Sequence, residues 1–275
     1  MKFLKKRPAK IKAFFGSSPP RSEISPEYLE LQNLYPIVPA TDIDRSWWQN
    51  MKSHFTLPPE KIHRDGKLRE EEYSTMKYCP GIFDFTNCGY IVPIFCDMKF
   101  YVGNDQSITW NIPEWIHPDT VHVHQKNQID SCPIANGKTT GDAIVKISTP
   151  WYWETPKGWS TLIIKPFYNY ANDFDICPGI IDSDIDNLSN HMLNAFLRFN
   201  VTGEEVVFRA GQPLMQLIPF ERQNTKLTIT DKPDKKTKKI IDQGHARWSS
   251  TFSDNPEVNG ITLLNFRDTI NKKYK

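Results

Sequence analysis

The sequence predicts a mainly β fold, a distorted barrel or jelly roll with short helices in its N- and C-terminal extensions. Two observations predict it. Twenty-one prolines cut the 275-residue chain into short segments, while 16 phenylalanines, 10 tyrosines and 8 tryptophans supply rings that suit half-buried strands. From Val145 to Phe220, apolar runs rich in strand-forming residues recur at short intervals with Gly and Pro between them.

Residues 1–76 read as a basic, Pro-rich extension. Its start, residues 2–12, carries six cations (Lys2, Lys5, Lys6, Arg7, Lys10, Lys12) and no anion. Pro8, Lys10 and Lys12 interrupt any apolar run there, so no secretory signal is expected. Pro26 to Gln32 is expected to be a short helix, with Ser25 as its cap and Pro26 at its first position. Asp44 to Lys52 is expected to make a helical turn or two, anchored to the barrel by Trp47 and Trp48. Pro58-Pro59 and Asp65-Gly66 then break the chain.

The β domain is expected over residues 77–222, opening near Cys79-Pro80-Gly81-Ile82. Gly89 to Phe100 reads as one strand kinked at Pro93, and Ser107 to Asn111 as another. Residues 116–142 read as a long irregular insert, of the kind that often carries function. Regular strand signals follow at Val145 to Ser148 and Pro150 to Trp153, then a turn at Thr155-Pro156-Lys157-Gly158. Further strands are expected at Trp159 to Lys165, Phe174 to Ile176, Pro178 to Asp182, Leu193 to Phe199, Val206 to Phe208 and Leu214 to Phe220. Residues 223–275 form a C-terminal extension, with a basic run from Lys232 to Lys239 and a closing helix near Phe266 to Asn271.

A net charge of +2 exerts no global pull toward nucleic acid or an anionic membrane. No run of about 18 apolar residues exists, so no membrane-spanning helix is expected. The five cysteines (Cys79, Cys88, Cys96, Cys132, Cys177) form no Cys-x-x-Cys pair and read as free thiols of a reducing cytosol.

Two constellations carry possible chemistry. Asp182 and Asp184, with Asp186 behind them, would share one turn, where neighbouring carboxylates bind a divalent cation or orient a water. Aspartates in such turns also satisfy local backbone N–H groups. His117, Asp119, His122 and His124 are the densest set of metal-ligand types. His117-Pro118-Asp119 has the His-x-Asp form of a facial triad that would hold Fe2+, with His191 or His245 as the distal ligand. His122 and His124 would lie on one strand face, as in a cupin-like metal site, although no Glu follows them. Trp159 and Ser160, just after Gly158, are candidate ligand contacts, and Phe167 to Tyr170 is a candidate stacking surface.

Residues 146–220 resemble the dUTPase and dCTP-deaminase-like β-barrel. The resemblance rests on Thr155-Pro156-Lys157-Gly158, Pro178-Gly179-Ile180-Ile181-Asp182-Ser183-Asp184 and Gly211-Gln212-Pro213-Leu214-Met215-Gln216-Leu217. It implies that Asp182 is a water-activating acid, that Gln216 is a phosphate-side contact and that the chain assembles as a homotrimer. The chain departs from that pattern at Lys165-Pro166-Phe167, where an Arg-Ser phosphate loop would stand, and at Ile185, Asp186 and Asn187. Arg247 to Thr251 holds only a trace of the Gly-rich arm. A site that loses its Arg and gains acids repels a triphosphate.

A longer stretch, Lys77 to Arg222, is similar to an uncharacterised protein family of marine tailed phages with bacterial relatives. Cys79 to Ile82, Gly89 to Pro93, Pro150-Trp151, Thr155 to Ser160 and Gln216 to Arg222 carry this likeness. It implies a phage-type protein of the host cytoplasm or the virion. The leading expectation is therefore a non-catalytic β protein that binds a small molecule or a phage or host protein. The alternatives are a nucleotide hydrolase using Asp182 and Asp184 with Mg2+, and an iron oxygenase or cupin-like protein using His117 and Asp119.

Overall fold

The computed structural model describes residues 9–16, 25–57, 71–105, 107–124, 143–166, 173–184, 192–229, 232–239 and 241. The chain divides into two units, Ala9–Arg222 and a smaller one made of Met1–Pro8 with Gln223–Lys275. In the smaller unit the described residues include a helical turn opened by Asp234, whose carboxylate accepts the Thr237 N–H at 2.7 Å.

The large unit is mainly β. Its first sheet runs β1 (Lys12–Phe15), β9 (Ile144–Glu154), β13 (Met192–Phe199), β11 (Phe174–Ile176), with β8 (Val121–His124) also paired to β9. The second runs β12 (Gly179–Ile181), β10 (Trp159–Ile164), β15 (Pro213–Glu221), β5 (Tyr90–Pro93), β2 (Val38–Pro39). The third is β14 (Glu204–Phe208), β6 (Met98–Val102), β7 (Ile108–Asn111), and β3 (His54–Leu57) pairs with β4 (Glu71–Ser74). All these pairings are antiparallel.

Among the described residues the sheets do not close into one barrel, contrary to the cylinder expected from the sequence. Two prolines mark where the chain leaves one sheet for another. The segment 174–181 pairs first as β11 with β13, then, past Cys177-Pro178, as β12 with β10. Pro93 likewise ends β5, and the chain re-forms as β6 in the third sheet instead of continuing as one kinked strand. A proline has no N–H for a ladder, so a strand ends or changes partner there.

Strand β9 meets the same problem and continues. It is a single strand through Pro150, where two were expected. Its register against β13 shifts between Asn194 (opposite Ser148) and Met192 (opposite Tyr152). In that bulge the Thr149 hydroxyl donates to the Leu193 carbonyl at 2.9 Å, a donor beside a residue that has none.

Among the described residues of the large unit, three α-helices sit around the sheets. Helix α1 (Pro26–Leu34) starts as expected, with Ser25 Oγ accepting the Tyr28 N–H at 3.2 Å. Helix α2 (Ser46–Asn50) carries Trp48, whose ring lies 6.1 Å from Phe83. Phe83 belongs to α3 (Pro80–Thr86), so Trp48 meets a helix there. Cys79-Pro80-Gly81-Ile82 thus opens a helix and not the first strand of a barrel, because a proline at the first helical position is preset for helical φ. Within the N-terminal segment, residues from Ala9 onward are part of the large unit. Strand β1 pairs with β9, and Phe15 packs between Tyr28 and Trp151, 5.3 Å from each.

Aromatic rings interlock where the first and third sheets meet. Phe100 and Phe208 of the third sheet lie 5.3 Å apart, Phe100 is 5.3 Å from Phe199, and Phe208 is 4.6 Å from Phe174. Phe100, Phe199 and Phe208 are fully buried. Each such ring stabilises the fold by about 1.5–3 kcal/mol through burial.

Candidate functional site

Strand register builds the acidic site. In β10 and β12, Thr161 faces Ile181, so Asp182 falls beside Ser160. In β10 and β15, Trp159 faces Glu221, so Arg222 falls beside Gly158. The Arg222 N–H accordingly donates to the Gly158 carbonyl at 2.7 Å. Three strand ends thereby bring Ser160, Asp182, Asp184 and Arg222 together.

The Arg222 guanidinium is the hub. Its Nη1 lies 3.0 Å from Asp182 Oδ1 and 2.8 Å from Asp184 Oδ1, and its Nη2 lies 2.6 Å from Asp184 Oδ2. Nη1 also reaches the Trp159 carbonyl at 3.0 Å and Ser160 Oγ at 3.1 Å. Asp184 Oδ2 further accepts the Gly158 N–H at 2.6 Å. Gly158 offers that N–H from a turn with φ of 86°, a left-handed conformation that favours glycine. The hydrogen bond from Arg222 comes first and the Gly158 N–H second in holding the Asp184 carboxyl down at about 2. Asp184 is almost enclosed, with 3% of its side chain exposed, against 47% for Asp182.

Between the two acids, Ser183 points the other way and is buried. Its hydroxyl lies 2.7 Å from Thr155 Oγ1 and 2.9 Å from Thr161 Oγ1, and Thr161 in turn accepts the Trp153 indole N–H at 2.9 Å. The Asp182-Ser183-Asp184 turn is therefore pinned on both faces. As a general base it is poorly placed. Both Asp184 oxygens already accept charge-assisted or backbone hydrogen bonds, and Asp182 Oδ1 takes Ser160 Oγ at 2.6 Å as well as Arg222. Of these four carboxylate oxygens, only Asp182 Oδ2 is without a hydrogen-bond partner among the described residues.

Beside this turn lies a slot of about 430 Å3. Strand β11 covers β13 only from Leu197 to Phe199, and β12 is an edge strand, so the slot opens where neither edge carries another strand among the described residues. Trp153, Ile163, Ile181, Met192, Leu193 and Phe196 give it an apolar lining, and Asp182, Asn194 and Cys177 are its polar or titratable wall. Ile180, 63% exposed, and Phe196, 37% exposed, stand at its open side.

The other sequence candidates are occupied elsewhere. Gln216 is buried, and its Nε2 donates to the Cys88 carbonyl at 2.7 Å and the Phe85 carbonyl at 3.4 Å, tying β15 to the end of α3. Ser160 is buried, with its hydroxyl on Asp182. Trp159 contributes its carbonyl to Arg222 and is half-buried.

His117 Nδ1 accepts the Asp119 N–H at 3.2 Å and lies 3.9 Å from Asp119 Oδ2, at a short 3-10 turn (Pro118–Thr120). His122 and His124 sit on β8, so the region expected to be irregular contains a strand. His124 packs 5.8 Å from the Phe196 ring, and its Nε2 is buried without a hydrogen-bond partner among the described residues. Among the described residues no group of three or more His, Cys, Asp or Glu is placed to hold a metal ion, so His117, Asp119, His122 and His124 are not gathered into one site. Asp186, His191, His245, Arg247 and Phe167 to Tyr170 lie outside the described residues.

Arg222 is the residue that sequence reasoning missed. The available signal was its place directly after the last strand, level with Gly158 once β10 and β15 are paired. No helix among the described residues is long and apolar enough to cross a membrane. No family model matches the chain, and no curated protein is similar enough to match it. Among solved structures, the chain is similar to the dUTPase of Staphylococcus bacteriophage 80alpha, a point mutant with dUpNHpp, at 10% identity and a TM-score of 0.27, over 67% of this chain and 91% of that one.

Proposed function

We propose that this protein is a non-catalytic binding protein whose slot takes a small, largely apolar molecule. The observation that carries the reading is the slot itself. Its volume of about 430 Å3 is that of a small-ligand site, and its walls are apolar with a few polar groups. The hydrolase reading has less support, because Arg222, Gly158 and Ser160 occupy the carboxylates that would activate water. The oxygenase reading lacks a gathered ligand set among the described residues. A phage-type origin, a host-cytoplasmic or virion setting and a homotrimer fit this reading as expectations of the sequence resemblance.

The test uses the Trp153 indole, which lines the slot and donates to Thr161. Its N–H resonance, assigned with Trp153→Phe, is followed while 2-phenylethanol is added. A saturable shift is expected, and Asn194→Trp, which fills the slot, is expected to remove it. An indole signal that stays still at millimolar probe, or one that moves equally in Asn194→Trp, overturns the reading.

A further inference from the structure

We infer that the slot selects a cationic amphiphile: an apolar body carrying an ammonium-type head that meets Asp182. This inference rests on the slot being a binding site and adds the charge of its occupant. The ion-pair stoichiometry at the end of the slot carries it. Two carboxylates, Asp182 and Asp184, share one guanidinium, that of Arg222, so the cluster retains one negative charge.

That charge is unevenly placed. Asp184 is nearly enclosed and is held by both guanidinium nitrogens and by the Gly158 N–H. Asp182 uses only Oδ1 toward Arg222 and Ser160, is about half exposed, and is the acid that lines the slot. Its Oδ2 has no partner among the described residues. Asp182 thus brings a carboxylate with an open acceptor to the wall of an apolar cavity. A donor bound there forms a charge-assisted hydrogen bond, about twice as strong as a neutral one, in surroundings less screened than bulk water.

Asn194, with Ser183 and Cys177 also on the wall, is a polar side chain with no side-chain hydrogen bond among the described residues. Its amide adds one acceptor and two donors. An anionic head would face the residual charge of the Asp182 and Asp184 pair, and a neutral head would leave it uncompensated. Charge complementarity therefore selects the cation.

The experiment compares three probes of one shape: 2-phenylethylammonium, 2-phenylethanol and 3-phenylpropanoate. Binding is measured by isothermal calorimetry on the full chain at pH 7 and low salt. Wild-type protein is expected to bind the ammonium about tenfold more tightly than the alcohol and to bind the carboxylate most weakly, with the preference shrinking as salt rises. Asp182→Asn is expected to remove the ammonium's advantage over the alcohol. Thermal unfolding of this variant checks that Arg222 and Asp184 still hold the turn.

If the alcohol binds and the ammonium is no tighter, or if Asp182→Asn leaves the preference intact, the charge assignment is overturned and the slot stands. If no probe binds wild type, or if Asn194→Trp binds them all as wild type does, the slot itself is overturned.

Discussion

At its Phe199 end, β13 lies under a set of interlocked rings; at its Met192 end, it borders the slot. Leu197 and Phe199 are fully buried, and Phe199 packs 5.3 Å from Phe100. Met192, Leu193 and Phe196 are just as large and line the slot; Met192 and Leu193 stay buried, while Phe196 is 37% exposed. The contrast does not come from smaller side chains. It comes from where pairing stops: β11 covers β13 only at Leu197 to Phe199, and the Thr149–Pro150 bulge shifts the register opposite Leu193. In this protein a cavity arises from strand ends and a proline, with an ordinary apolar sequence around it.

Truncating one ring at each end tests that contrast most strongly. Phe208→Ala removes a fully buried ring that contacts Phe100, Phe174 and Phe199, and is expected to cost about 3–5 kcal/mol. Phe196→Ala is expected to cost under about 1 kcal/mol, because its ring is already partly exposed. Urea unfolding at constant m-value measures both. Equal losses would mean that the slot end is packed as tightly as the other.

The bulge comes next. Thr149→Val keeps the shape of the side chain but removes the donor to the Leu193 carbonyl. A buried acceptor without a partner costs about 1–3 kcal/mol. The loss should appear in urea unfolding, and the amide signals of Met192 to Asn194 should move while those of Leu197 to Phe199 stay. A change spread along all of β13 would show that its two ends are mechanically one.

The sequence made local signals legible. Ser25-Pro26 reads as a cap and first turn, and Leu214 to Phe220 reads as a strand, because neighbouring residues decide both. The Asp182-Ser183-Asp184 turn was visible for the same reason. What was not legible depends on pairing across the chain. Cys79-Pro80 suits a turn, a strand entry or a helix start, and only the docking of Phe83 against Trp48 distinguishes them. Ala13-Phe14-Phe15 was hidden in a basic run until β9 gave it a partner. Arg222 is separated from Asp182 by forty positions, and its meaning appears only when β10 brings both strands together.

Acid provides the gentlest probe, because each end of β13 has its own charge latch: Arg222 on Asp184 by the slot, and Lys165 and Arg198 on Asp175 beside Phe199. Asp184 sits well below its ordinary value of 3.8, at about 2, through Arg222 and the Gly158 N–H. A carboxyl depressed in the folded state stabilises that state above the unfolded pKa, and this contribution is lost as the pH falls through the folded one. The latch is therefore complete above about pH 4 and weakens toward pH 2. The Gly158 amide proton, which donates to Asp184, should titrate with a midpoint near that lower value. Asp184→Asn has no such step, and its Gly158 signal should be flat across the same range. A Gly158 midpoint near 4 in the wild type would mean that Arg222 does not grip Asp184 in solution, and the slot end would then be held by its hydroxyls (Thr155, Ser183, Thr161) and backbone alone.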